Sequence, residues 1–292
     1  MYKIGIDIGG TNIAAGIVDE YGQLLTKKTI PTRVRNAADM LGDMAGLVDD
    51  ILIEQGIEGA NVRHIGIGSP GTCDPSKGRV LYAANLNFEN VDVCDWLGSR
   101  LNLPIYLQND ANCAALGEAK MGAGVEYTHS ITVTFGTGIG GGIIIDGDIY
   151  SGPFFGAGEV GHHIIEMNGK LCTCGKRGCW EAYASATALI RDSGYDNAKA
   201  VFDASDAGVI EAVKAIDNYY QYIATGLANL IDILQPQIII LGGGIAERGE
   251  SFLREAERRT RSIVFAGDLH TKLALAKLGN DAGIIGAAFL GD

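Results

Sequence analysis

The chain has 292 residues, enough to bury a full core and long enough for two moderate lobes rather than one small domain. Its 47% apolar and 20% charged residues exclude disorder as the default, and its 42 glycines, about twice the usual fraction, point to tight turns and close ligand approach. With 35 acidic against 23 basic residues and no Lys/Arg block, the chain has no electrostatic footprint for a phosphate backbone, so nucleic acid is not an expected partner.

In chain order, the apolar runs read as a strand (Tyr2 to Ile8), a glycine turn, a strand (Asn12 to Asp19) and a strand (Leu24 to Ile30). Helical spacing from Ala37 to Gln55 precedes a strand at His64 to Gly68 that ends on Ser69-Pro70-Gly71. A helix near Val93 to Leu101 leads to a strand at Pro104 to Leu107, then Asn109-Asp110 and a helix from Ala111 to Met121. A second meander runs from Ser130 to Phe135, turns through Gly136 to Gly142 and continues from Ile143 to Asp146. The remainder predicts one long helix from about Asp206 to Leu234, a strand at Gln237 to Leu241, the loop Gly242-Gly243-Gly244, a helix from Ala246 and a closing helix from Asp281 to Leu290. Strands alternating with helices specify an α/β protein. The echo between the two meanders suggests two similar lobes, 1–110 completed by 281–292, and 111–280. No apolar run approaches bilayer length, and Met1 leads almost directly into a strand without a signal peptide pattern, so a cytoplasmic protein with no membrane partner is expected.

Gly136 to Gly141 satisfies G-x-G-x-x-G, but a strand rather than a helix follows, which rejects a dinucleotide fingerprint. A glycine hairpin still holds phosphate when backbone N–H groups and a threonine hydroxyl converge on an anion; the rival reading is a plain tight turn. Gly9-Gly10-Thr11 and Gly136-Thr137-Gly138 are two such turns, and Asp7 beside the first suits a Mg²⁺ ion next to a phosphate cradle. Asp110 opens a helix after a buried-looking strand. It reads either as an N-cap or as the base that takes a proton during phosphoryl transfer, with Asn109 positioning the substrate.

Cys73, Cys94 and Cys113 are scattered and read as core filler. Cys172, Cys174 and Cys179 fall within eight residues among glycines, which suits tetrahedral zinc with one imidazole, either His162 or His163 on spacing alone.

Asp7-Ile8-Gly9-Gly10-Thr11, Asn109-Asp110, Phe135 to Gly140, Glu159-Val160-Gly161-His162 and the C-x-C-G-x-x-G-C-x-E run from Cys172 to Glu181 occur in the order found in the ROK family of bacterial sugar kinases and repressors, which the chain resembles along nearly its whole length. The resemblance implies an actin-like ATPase (ribonuclease H-like) fold of two lobes, with ATP and sugar in the cleft between them. It implies His162 as the zinc ligand beside Cys172, Cys174 and Cys179, and Asp110 as the general base. Sugar contacts would come from Pro70, Gly71, Asn109, Asp110, Glu159, His162 and Glu181. Gly9, Gly10, Thr11, Gly136, Thr137 and Gly138 would surround the ATP phosphates, and Gly242, Gly243 and Gly244 would approach the nucleoside. The zinc would be structural, fixing the loop that aims Glu181 and His162.

Within the family the chain looks most like the glucokinase branch, so glucose is the expected substrate; N-acetylmannosamine, fructose and other hexose or hexosamine kinases share the framework. A homodimer is the family habit. A sugar-sensing repressor is the different-class alternative, disfavoured because only Met1 precedes the first strand. Two positions depart from the pattern: Asn12 where many relatives have Lys, and Trp180 where Leu is common, the latter expected to reshape the pocket beside Glu181.

Overall fold

The computed structural model describes residues 1–265 and 270–292. Its strands are β1 (Tyr2–Ile8), β2 (Asn12–Val18), β3 (Leu24–Pro31), β4 (Val62–Ser69), β5 (Thr72–Asp74), β6 (Arg79–Ala83), β7 (Phe88–Asp92), β8 (Ile105–Asn109), β9 (Ser130–Phe135), β10 (Ile139–Ile145), β11 (Asp148–Ile149), β12 (Ile238–Gly242) and β13 (Lys272–Leu275). Its α-helices are α1 (Ala37–Gln55), α2 (Val93–Leu101), α3 (Asp110–Met121), α4 (Glu181–Ala184), α5 (Ala186–Ser193), α6 (Ala198–Asp206), α7 (Ile210–Leu234), α8 (Glu250–Arg261) and α9 (Ala282–Ala288). Among the described residues no helix is long and apolar enough to cross a membrane.

One sheet has the order β3-β2-β1-β4-β8 and another the order β11-β10-β9-β12-β13. The first strand pairs antiparallel with the second and parallel with the fourth, and the parallel part of the other sheet repeats this through β9, β12 and β13. The echo read between the two meanders is thus a repeated strand order.

The chain forms two compact units, Met1–Glu126 with Gly142–Gly158 and Leu278–Asp292, and Tyr127–Gly141 with Glu159–Lys277. The boundary expected at residue 110 falls instead after Glu126, because α3 packs on β4 and α9 of the first unit.

Period-2 alternation builds that unit. Ile4, Ile6 and Ile8 of β1 and Ile65 and Ile67 of β4 are buried in one apolar cluster with Met40, Met44, Val48 and Ile51 of α1. Gly5, Asp7, Gly66 and Gly68 alternate onto the opposite face, against α9 and α3. A Cβ on Gly5 or Gly66 would overlap the carbonyl of Ile284 or Ala287, and one on Gly117 or Gly286 would overlap the backbone between α3 and α9. Only hydrogen at these four positions lets backbone meet backbone. Gly68 packs against Cys113 and the Cα of Asp110, so the same seat that receives α9 brings the start of α3 onto the face that carries Asp7.

In the second unit the all-apolar strand β12 lies between two parallel neighbours and is fully buried. Phe135 contacts Trp180 and Phe252 edge-on, with centroids 5.6 and 5.8 Å apart.

Three expectations change. The strand placed after Gly142 begins at Ile139, and its glycines serve close packing: Gly141 lies against Val160, and Gly142 against Ala111 and Ala115. The single helix from 206 to 234 begins only at Ile210, because Gly208 takes φ +80° and ends the preceding α6. The three-stranded antiparallel sheet β5-β6-β7 had no counterpart in the sequence reading.

The packing predicts opposite signs for glycine replacements. Gly66→Ala is expected to destabilise by about 3 kcal/mol or more, because neither backbone can yield without moving α9. Gly46→Ala, in the exposed interior of α1 with nothing within 4 Å of the new methyl, should stabilise by about 0.5–1 kcal/mol. Urea denaturation of both variants checks the pair, and a harmless Gly66→Ala would refute the close seat.

Candidate active site

In the first unit, β8 delivers Asn109 and Asp110 to the start of α3. Asn109 is the N-cap: its Oδ1 accepts from the N–H of Ala111 at 3.0 Å and of Asn112 at 3.2 Å, while its Nδ2 donates to the Gly71 carbonyl at 3.0 Å. The capping role weighed for Asp110 therefore belongs to its neighbour, and Asn109 also ties down the Pro70-Gly71 loop. Asp110 is the first helical residue, where a negative charge is favoured by the helix dipole. Its Oδ1 lies 2.8 Å from the N–H of Ala111.

Asp7 ends β1 on the same face, half-buried. Burial, reinforced by the negative charge of Asp110, raises its carboxyl to about 6. A carboxyl held protonated by burial and a neighbouring negative charge suits a hard, oxygen-seeking cation such as Mg²⁺. Beyond Asp7, the Gly9-Gly10-Thr11 turn has its outer two carbonyls engaged: the Thr32 hydroxyl donates to Gly9 at 2.7 Å and the Thr32 N–H to Thr11 at 2.8 Å.

The second unit repeats this arrangement. In Gly136-Thr137-Gly138, the carbonyls accept from Ala186 N–H (2.8 Å), the Thr187 hydroxyl (2.7 Å) and Gly136 N–H (3.0 Å), respectively. Thr11 and Thr137 are exposed. With carbonyls turned inward, what each turn can offer an anion is N–H and hydroxyl, as a phosphate cradle requires. Gly244 borders a cavity of about 300 Å³ lined also by Ala198, Lys199, Phe202, Ile245 and Arg248. The Arg248 guanidinium stacks 4.2 Å from the centre of the Phe202 ring. The α6 residues were not anticipated, since only the packing of α6 on α7 brings them beside the glycine loop.

His162, Cys172, Cys174 and Cys179 hold one donor atom each, all within 4.8 Å of one another. Cys172 Sγ lies 3.6 Å from His162 Nδ1, and Cys174 Sγ 3.6 Å from Cys179 Sγ. Bonds of about 2.3 Å to sulfur and 2.0 Å to nitrogen place tetrahedral donors roughly 3.5–3.8 Å apart, so the set fits one ion. It is too open for a disulfide, whose sulfurs sit about 2.05 Å apart. The choice between histidines is decided here. His163 Nδ1 is 2.5 Å from the Val160 carbonyl and its ring packs on Trp180, so it faces away from the thiols.

Glu181 opens α4 beside the metal donors. Its Oε1 accepts from the Thr173 hydroxyl at 3.0 Å and its Oε2 from the Ile139 N–H at 3.0 Å. Glu159 is exposed, one turn ahead of His162, whose N–H donates to the Glu159 carbonyl at 3.0 Å. Trp180 corrects an expectation: it is fully buried, its indole lies flat over Gly226 of α7, and its Nε1 donates to the Tyr222 carbonyl at 2.7 Å. It therefore braces the core and lines no pocket. Asn12 opens β2 and is exposed. The core-filler reading holds for the scattered thiols: Cys73 and Cys113 are buried and Cys94 half-buried, with burial pushing Cys73 and Cys94 up to about 12.

The ROK family model matches residues 3–292. The chain belongs to the ROK family. A glucokinase from Thermotoga maritima is 35% identical over 98% of this chain and 95% of its own length. The structure of a ROK family glucokinase from Streptomyces griseus in complex with glucose and AMPPNP superposes with a TM-score of 0.82 at 34% identity, covering 99% of this chain and 98% of that one. A putative xylose repressor from Caldicellulosiruptor sp. is 32% identical over 97% of this chain but 76% of its own length. The ROK chain accordingly has the actin-like ATPase fold.

Two predictions follow from the charges and donors. The purified ROK chain should carry about one zinc per molecule by elemental analysis, and Cys179→Ser should lower this below about half. A wild-type value below half, without chelator exposure, would defeat the closed site. For Asp7, the folded carboxyl holds its proton to about 6 whereas the unfolded one releases it near 3.8, so this group lowers stability as pH rises from about 4 to about 6. Without divalent cations, Asp7→Asn should gain about 2–3 kcal/mol relative to wild type between pH 3.5 and pH 7. A pH-independent difference in urea denaturation would contradict the shift.

Proposed function

We propose that this ROK family chain transfers the γ-phosphoryl of ATP to the 6-hydroxyl of a hexose, with glucose as the substrate and Asp110 as the general base. It is an ATP-dependent sugar kinase in class, and the glucokinase similarity covering nearly the whole length of both proteins supports glucose in particular. The observation that carries the assignment of the base is the division of labour at the start of α3. Because Asn109 takes the capping duty, the Asp110 carboxylate is not required to hold the helix.

In this reading Asp110 accepts the proton of the hydroxyl as its oxygen bonds to the γ-phosphorus and the bond to the departing ADP breaks. The 3.0 Å hydrogen bond from Asn109 to the Gly71 carbonyl keeps the Pro70-Gly71 loop beside that carboxylate. Glu159, His162 and Glu181 contribute hydrogen-bonding groups to the sugar, and the turns at Gly9–Thr11 and Gly136–Gly138 receive the phosphates. Mg²⁺ near Asp7 would neutralise phosphate charge, and zinc on His162, Cys172, Cys174 and Cys179 would stiffen the loop before Glu181. The cavity beside Gly244 has the size and the stacked guanidinium expected of a nucleoside pocket.

The repressor similarity makes a sugar sensor the second reading, since a sensor would share the sugar contacts. Two phosphate-type turns and the neighbouring Asp7 and Asp110 carboxylates favour the kinase. An ATP-coupled assay across glucose, mannose, fructose, N-acetylglucosamine and N-acetylmannosamine should show turnover highest with glucose. Asp110→Asn should cut kcat by about 10² or more while the protein stays folded. Near-wild-type turnover in that variant would remove Asp110 from the mechanism, and no turnover with any sugar would favour the sensor.

A further inference from the structure

Glu181 is joined at both carboxylate oxygens to different parts of its own unit. Oε1 accepts from Thr173, which lies between two of the metal-donor cysteines, and Oε2 accepts from the N–H of Ile139, the residue that follows the second glycine turn. Cys172 Sγ is also 3.6 Å from Oε1. A metal-bound thiolate has no proton to donate, so with an ion in place that contact contributes no hydrogen bond and the Thr173 hydroxyl remains the donor to Oε1. A Cβ on Gly138 would meet the Glu181 carboxylate, so the carboxylate that holds the Ile139 N–H is seated directly against the turn.

We infer that Thr173, Glu181 and the Ile139 N–H form a relay from the metal loop to the Gly136–Gly138 turn, and that Thr173 is a positioning residue for nucleotide binding, acting through Glu181. The physical logic runs through torsional freedom. Glu181 begins a four-residue helix and is half-buried, so its side chain is not fixed by packing alone. Two hydrogen bonds to one carboxylate select a single rotamer, and a carboxylate acceptor makes each bond stronger than a neutral pair. When Oε1 loses Thr173 the carboxylate can rotate, Oε2 leaves Ile139, and the turn loses the tie at its far end, keeping those from Ala186 and Thr187. The metal thereby acts on the phosphate-binding side of the site as well as on the sugar side. This role for Thr173 rests on the kinase reading, whereas the relay itself does not.

The experiment separates the two. In zinc-replete protein, Thr173→Val removes the donor at nearly constant volume, and Thr173→Ser restores it. Hydrogen exchange at the Ile139 amide should be about threefold faster or more in Thr173→Val and close to wild type in Thr173→Ser, with zinc content equal in all three. Calorimetric titration with Mg·AMPPNP without sugar should show affinity about threefold to tenfold weaker in Thr173→Val and within twofold of wild type in Thr173→Ser. Unchanged Ile139 exchange in Thr173→Val would overturn the relay. Faster exchange with unchanged AMPPNP affinity would overturn its role in nucleotide binding. Failure of the wild-type protein to bind AMPPNP at all would count against the kinase reading, and the exchange data would still judge the relay.

Discussion

The arrangement of the first unit depends on the contact of α9 with bare backbone. Packed helices and sheets ordinarily keep about 10 Å between axes because side chains fill the space. At Gly5 and Gly66 on the sheet, and at Gly117 and Gly286 between the helices, that space is gone. Such packing gains dense dispersion contact and sacrifices tolerance, since each added methyl meets a carbonyl that belongs to a hydrogen-bonded element. The outcome is positional accuracy. Asp7, one position beyond Ile6 on β1, and Asp110, at the start of α3, are set by the same close seat and not by flexible loops. The close seat also places the Asp7 carboxyl against Gly283 of α9, where water is scarce enough to raise its affinity for a proton.

The second unit solves a different problem. The segment from Glu159 to Cys179 has little regular structure; Ile164, Met167 and Leu171 are exposed, while Val160 is buried and Ile165 packs on the cluster that includes Cys172 and Cys179. Burial so limited holds only part of the loop. Four donors within 4.8 Å of one another would supply a cross-link once an ion is bound, and isolated bridges at Ile164–Cys179 and Leu171–Arg177 shape the loop around them. The order passes into the core at once: Cys179 is buried, Trp180 lies over Gly226, and Glu181 turns back toward solvent. A large buried indole directly before Glu181 fixes the first turn of α4, which is too short to hold itself.

Much of this was legible in the sequence because it is local. β1, α1, α2 and β9 have the boundaries that apolar periodicity assigns, and the cysteine spacing singled out three thiols that the fold gathers around His162. What escaped was set by tertiary context. Spacing could not separate His162 from His163, because the two differ in which way the backbone aims each ring. Asn109 and Asp110 are both good N-caps by type, and only the coordinates assign the duty. The strands β5 to β7 are short and carry Asp74 and Asn90, so their pairing is specified by one another more than by their own pattern. Trp180 looked like a pocket residue by adjacency. The glycine that receives it lies 46 positions away, since 226 − 180 = 46, and no local window contains both.

The repeated strand order makes the two glycine turns comparable, and they are not held alike. At the first turn, Thr32 just past β3 supplies both the hydroxyl and the N–H that engage the Gly9 and Thr11 carbonyls, so it is secured by its own sheet. The second turn has no such neighbour. The Gly136 and Thr137 carbonyls are taken by the start of α5, the Gly138 carbonyl by the turn's own Gly136 N–H, and the N–H just beyond the turn by Glu181, so its outside tethers come from the segment that follows the cysteine loop. A turn tied to its own sheet is as rigid as the sheet, whereas a turn tied to an irregular segment is only as rigid as that segment's order. An ion on the four donors would therefore reach beyond its own ligands, and the asymmetry follows from where the chain places two threonines, Thr32 just past a strand and Thr187 on a helix.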